Sequence, residues 1–229
     1  QCAIYPPRML ACILINLGIK LQKEENVNFL LKKIGIINKL GHGKPEYQFI
    51  YNQIKKGHNK EKVSYPRTSS LGRLLDAFAA VVNICDKRTY RGEPAMRLEG
   101  FCWNKPARNI FALEKYRTKN QIHGDRLLFD YTSLIYSKRF YENGDFISLN
   151  EIRCLARSFL EDLGHLFAFQ AIQIAKKRKF SAIGVTGGVA YNDIFVTVLK
   201  ADVEEAGISF LQHSQIPPGD AGISIGQIT

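Results

Sequence analysis

"FSAIGVTGGVAYND", residues 180–193, runs from an apolar stretch through two glycines into a helical pattern. Residues 180–185 have the length and apolar content of a buried strand. From about 190 to 206 apolar residues recur three and four apart, as in a helix, and Gly207 follows as its C-cap. Residues 208–211 read as a second strand. Strand, helix and strand in this order imply a right-handed parallel crossover, and hence an α/β layer. The pair Gly187-Gly188 at the junction has two readings. Backbone amides there could approach a phosphate with no Cβ in the way, aided by free N–H groups and the dipole of the next helix. Asn192 could donate an amide hydrogen bond to the same ligand. Alternatively, Gly-Gly only turns the chain where packing is tight. The stretch lacks the lysine of a G-x-x-x-x-G-K-S/T loop and the spacing of G-x-G-x-x-G, so on its own it leaves both readings open.

Outward from this junction, residues 9–17, 26–34 and 46–56 carry helical periodicity, and 55–67 is a polar, basic loop. Pro66-Arg67-Thr68-Ser69-Ser70 is a helix-start signal with a serine at the cap. The helix it opens has Leu71, Leu74, Leu75, Phe78, Val81 and Val82 in one stripe. At about 100° per residue Asp76 falls on its outer side, with Gly72 and Arg73 beside it. A ribose or adenine could lie there, or Asp76 is simply solvated. Residues 92–125 have no clear period. Segments 126–136 and 139–141 read as strands, with a turn at Asn143-Gly144-Asp145. A long helix spans 149–177 and ends in the basic run 176–179, whose cations complement the helix C-terminus. In the last loop, Pro217-Pro218-Gly219-Asp220-Ala221-Gly222, Asp220 is either a helix N-cap or an oxygen ligand for a phosphate-bridging metal.

Composition narrows the class. The chain has 229 residues, the size of one large domain or two small ones, and 45% hydrophobic residues suffice for a core, which excludes extensive disorder. No apolar stretch nears the roughly 20 residues a membrane helix needs. The five cysteines (Cys2, Cys12, Cys85, Cys102, Cys154) form no C-x-x-C pair and read as reduced thiols of a cytoplasmic protein. A net charge of +11 attracts nucleotides, anionic substrates or nucleic acid without choosing among them. The start Gln1-Cys2-Ala3 reads as the interior of something longer.

Taken together, "YPRTSSLGRLLDAFAAVVNI" (65–84), "YRGEPAMRLEG" (90–100), "TGGVAYND" (186–193) and "IPPGDAGISIGQ" (216–227) resemble the C-terminal part of the HypF carbamoyltransferase family. "YPPRML" (5–10) fits the same family. TSS-x-GR-x-x-DA and PP-x-D-x-G-x-x-x-GQ carry the resemblance most specifically; the glycine turn is shared with wider carbamoyl- and threonylcarbamoyl-transfer families and actin-like ATPases. The resemblance implies an α/β fold, one lobe of an actin-like ATPase or sugar-kinase type, with a mixed sheet, flanking helices and helical insertions. It divides the chain into a helical segment, 1–66, and a nucleotide-binding lobe, 67–229.

It implies the use of ATP and carbamoyl phosphate, through carbamoyl adenylate, to carbamoylate the C-terminal cysteine of a HypE-type partner in nickel–iron hydrogenase maturation. It further implies that Gly187, Gly188 and Asn192 hold the phosphate side of the nucleotide. Gly72, Arg73, Asp76, Gly92 and Glu93 would line the adenosine side, and Asp220 would ligate a divalent metal ion. The family's other metal ligands, an H-x-x-x-H pair, and a D-G-T-G-type loop of the other lobe are absent from this sequence. Its histidines (His42, His58, His123, His165, His213) lack the spacing. Where the family often has Phe-His, this chain has Phe159-Leu160. Competing expectations are another actin-like transferase, acting on a threonylcarbamoyl group or a sugar, and a non-catalytic basic module for nucleic acid or a partner.

Overall fold

In a computed structural model that describes residues 4–59, 68–119, 121–136 and 147–227, the chain separates into two compact units. Unit 1 comprises Gln1–Leu98 with Asp125–Ile152, and unit 2 comprises Glu99–Gly124 with Arg153–Thr229. Cys2, Pro66, Arg67, most of the basic loop's later half, the 139–141 strand and the 143–145 turn lie outside the described residues.

Unit 1 begins with α1 (Pro6–Leu21), whose first-turn prolines lack N–H groups the helix would leave unbonded anyway. α2 (Glu24–Ile34) passes through Gly35, at φ +69°, into the short α3 (Ile36–Lys39), and α4 (Gly43–His58) follows. α1 packs against α2, α4 and α5 (Leu71–Val81), so residues on both sides of position 66 share one core. Ser70 takes the N-cap position of α5, but its hydroxyl makes no capping bond; Thr68 Oγ1 accepts the Ser70 N–H at 3.1 Å. α6 (Glu93–Cys102) emerges from the stretch that had no period, and it contributes residues to both units.

The expected strand at 126–136 is instead a helix, α7 (Gly124–Tyr136). Its buried residues, Leu127, Leu128, Tyr131, Thr132 and Ile135, are spaced one, three or four apart, which only a helix places on one face. The rings of Tyr131 and Phe78 of α5 meet edge-on at 6.0 Å, and Tyr136 donates to the Val81 carbonyl at 2.9 Å.

In unit 2, β1 (Arg117–Thr118) and β2 (Gln121–Ile122) form a short antiparallel pair. α8 (Leu149–Arg178), most of which belongs to this unit, runs for 30 residues from a Ser148 cap to its basic last turn. β3 (Ala182–Gly184) and β4 (Ser209–Leu211) pair in parallel, Ile183 opposite Phe210, with α9 (Asp193–Glu205) between them. That is the α/β crossover order read from the sequence. Gly207, at φ +74°, ends α9 as expected, its N–H bonded to the Glu204 carbonyl at 3.0 Å. α9 reaches α8 closely at Gly164, where a Cβ would lie 3.0 Å from the Val198 side chain and 3.1 Å from the Phe195 carbonyl oxygen. His165 Nδ1 and Asp202 Oδ2, 2.7 Å apart, join the same two helices. A 3-10 turn (Asp220–Gly222) leads into α10 (Ile223–Gly226). Among the described residues Cys12, Cys85, Cys102 and Cys154 form no disulfide, and no helix is long and apolar enough to cross a membrane.

Candidate nucleotide site

The residues singled out from the sequence fall into two groups, one in each unit. In unit 1 Asp76 is not on an outer face. It is only 1% exposed, because α5 is buried continuously from Leu75 to Val81 and leaves no solvated side at that height. Arg73 Nη1 lies 2.9 Å from Asp76 Oδ2, an ion pair whose angles do not make a hydrogen bond, so Oδ2 has no hydrogen-bond partner. Burial pushes the Asp76 carboxyl up to about 6, against the opposing pull of Arg73 and Arg88.

Gly92 takes φ +81° immediately before α6, and Glu93 opens that helix fully buried. The Thr89 backbone N–H and hydroxyl both donate to Glu93 Oε2, the hydroxyl at 3.0 Å, and Arg97 Nη2 lies 2.6 Å from Oε1. These partners, the Thr89 amide first, hold the Glu93 carboxyl below its ordinary range. Burial raises the Cys85 thiol pKa, and Glu93 and Asp76 both add to the effect, so the two carboxylates act on one buried position. Gly72 is not forced by crowding: the nearest atom to a Cβ there would be Ser70 Oγ at 3.6 Å.

In unit 2 the chain leaves β3 through Gly187 at φ +93° and ψ 177°, a conformation open almost only to glycine. The Gly187 N–H donates to the Pro218 carbonyl at 2.6 Å, and the Thr186 hydroxyl donates to the same oxygen at 3.1 Å. Gly187 therefore shapes the loop, but its own amide is already engaged. Residues Gly188–Tyr191 form a 3-10 turn, and α9 starts at Asp193 rather than at 190.

The free N–H groups expected at the start of this helix are also taken. Glu99 Oε1 accepts from Asp193 N at 2.6 Å and from Ile194 N at 3.4 Å, while Asn192 Oδ1 accepts from Phe195 N at 2.9 Å. What remains is narrower: the N–H groups of Gly188 and Val189 make no hydrogen bond within the described chain. Beside them Asn192, 4% exposed, has a buried Nδ2 without a partner. A buried donor left unpaired costs about 1–3 kcal/mol, and a ligand oxygen would remove that cost. The last loop is latched to this turn, since Gly219 N donates to the Tyr191 hydroxyl at 3.4 Å in addition to the two bonds at Pro218. His213 Nε2 lies 3.2 Å from Thr186 Oγ1. Asp220 stands exposed, and it is not a side-chain cap, because Gly219 holds the N-cap position of its turn.

Comparison with known proteins shows the family. Residues 1–227 match the family described as carbamoyltransferase, Kae1-like domain, second subdomain. The chain belongs to that family. A probable carbamoyltransferase HypF of Methanocaldococcus jannaschii is 33% identical over 227 residues, covering 97% of this chain and 26% of the relative. The carbamoyltransferase HypF of Rhodobacter capsulatus is 28% identical over 167 residues, covering 72% of this chain and 20% of the relative. The crystal structure of T. kodakarensis HypF superposes with a TM-score of 0.72 at 25% identity, over 98% of this chain and 27% of that one. A full-length HypF in a phosphate- and nucleotide-bound form superposes at 0.68 with 19% identity, over 99% of this chain and 26% of that one, which is a likeness of fold. The chain thus spans about a quarter of the length of the HypF proteins it matches. The α/β reading, one lobe of an actin-like fold with helical insertions, stands with this Kae1-like subdomain.

Among the described residues no three His, Cys, Asp or Glu side chains converge as a metal-binding group. Sequence reading also missed Glu99. Its partners lie 94 and 95 residues away, and no local pattern announces a cap supplied from another helix.

Proposed function

We propose that this subdomain supplies the phosphate-holding half of a carbamoyl-transfer site that uses ATP and carbamoyl phosphate. Carbamoyl adenylate would be the carbamoyl donor and the C-terminal cysteine of a HypE-type protein the acceptor. The observation that carries this reading is the pair of unbonded amides at Gly188 and Val189, with the orphaned Asn192 Nδ2 beside them. Three fixed donors on a latched turn suit the phosphate of a nucleotide, and a net charge of +11 favours an anion at long range. Family membership supports the same reading, as does the phosphate- and nucleotide-bound state of a HypF with this fold.

In the transfer, the acceptor thiolate attacks the carbamoyl carbon. A C–S bond forms, the bond from that carbon to the phosphate oxygen breaks, and AMP leaves carrying the electron pair. The amides of Gly188 and Val189 would orient the phosphate and offset the charge that grows on it. No nucleophile is needed on this chain, since the reacting thiol arrives on the partner. A metal ion, if Asp220 joins ligands from elsewhere, would polarise the phosphate.

The test is to incubate the intact protein with ATP, carbamoyl phosphate and a HypE-type acceptor, and to measure the acceptor's mass. Addition of a carbamoyl group to its C-terminal cysteine is the expected result. No ATP binding and no mass change, or instead a phosphorylated sugar or modified tRNA, would contradict the reading.

A further inference from the structure

The N-terminus of an α-helix attracts anions, and in a strand–glycine–helix junction the incoming phosphate ordinarily sits there. In this chain that seat is filled. The Glu99 carboxylate, carried on α6, holds the first two amides of α9, and Asn192 holds the third. Burial, the largest influence, raises the Glu99 carboxyl pKa; the Asp193 and Ile194 N–H groups and Arg157 pull it down, while the Asp193 carboxylate adds to the rise. A polyphosphate cannot reach the α9 amides without displacing a carboxylate that already carries the same sign of charge.

We propose that Glu99 is a positioning residue of the nucleotide site: by occupying the anion seat of α9 it confines bound phosphate to the Gly188–Val189 edge and fixes the downstream end of the glycine turn. The inference rests on the nucleotide reading given above. It explains why the turn has two anchors. Pro218 holds the upstream end through Thr186 and Gly187, and Glu99 holds the downstream end through Asp193 and Ile194. Between them lie the unbonded amides.

The experiment compares wild type, Glu99→Ala and Glu99→Gln in the intact protein by equilibrium ATP titration and by amide hydrogen exchange. Alanine removes the cap, so ATP should bind about tenfold more weakly and the Asp193 and Ile194 amides should exchange faster. Glutamine keeps an acceptor oxygen for both amides and should restore ATP binding to within about threefold of wild type. That rescue separates positioning from a general loss of structure. If the alanine variant does not fold, the glutamine variant decides, and a tenfold loss there overturns the proposal. Equal or tighter ATP binding by Glu99→Ala, with wild type binding normally, overturns the role of Glu99 and leaves the nucleotide reading intact. Absence of ATP binding by wild type overturns both.

Discussion

Asp76 combines near-complete burial with a carboxylate oxygen that lacks a hydrogen bond, and its cost depends on pH. Its pKa is raised from 3.8 to about 6, so the unfolded chain releases this proton at lower pH than the folded one does. Between about pH 4 and about pH 6 the folded state therefore binds more protons, and stability falls as pH rises, by on the order of 3 kcal/mol. Asp76→Asn should remove that slope and raise Tm at pH 7, as thermal melts at several pH values would record. If the carboxylate serves the ribose of a nucleotide, the same variant should lose ATP affinity, a gain of stability at the expense of binding. At Asn192 both effects run the same way. Asn192→Asp retains the oxygen that caps α9 but buries an unpaired carboxylate oxygen where Nδ2 now lies. Stability should fall by about 1–3 kcal/mol from the buried charge, and ATP should bind at least about tenfold more weakly as the donor becomes a repelling charge. Melts and titrations on the same preparation check both halves.

At the scale of elements, the contact of α8 with α9 at Gly164 bears directly on the glycine turn, because α9 continues from it. Gly164→Leu would drive a side chain into Val198 and the Phe195 carbonyl and should cost about 1–3 kcal/mol, with faster amide exchange through the first turn of α9. A melt unchanged within 0.5 kcal/mol would show that the helices are not closely packed there. Local signals explain which elements were readable. The stripe of α5 and the glycines at 187 and 207 declare themselves because periodicity and positive φ are properties of a few neighbouring residues. α7 misled because polar residues are interleaved among its apolar ones, which mimics alternation until burial shows spacings of three and four. Asp76 was misplaced for a different reason. A helical wheel knows only its own helix, and α1 packs against α5 in a way that no wheel anticipates. Glu99 was out of reach altogether, being a cap delivered across 94 positions.

At the scale of the molecule, the family and the α/β character were legible in four short motifs, while the supply of hydrogen bonds at the candidate site was not. The sequence reading gave the phosphate to Gly187, Gly188 and Asn192, aided by free amides at the start of the next helix. In the structure Glu99 and Asn192 occupy the first amides of α9, the Gly187 amide is engaged, and Gly188, Val189 and Asn192 are the proposed donors. The residues proposed for the adenosine side lie in unit 1 and those for the phosphate side in unit 2, and the chain spans about a quarter of its HypF relatives. The central claim is tested on the intact protein. The most direct measurement is residue-resolved amide hydrogen exchange of the intact protein with and without saturating ATP. The account predicts strong ATP-dependent protection at Gly188 and Val189, with Gly187, Asp193 and Ile194 protected already in the absence of nucleotide. Exchange at Gly188 and Val189 that ATP leaves unchanged, while ATP is bound, would contradict it.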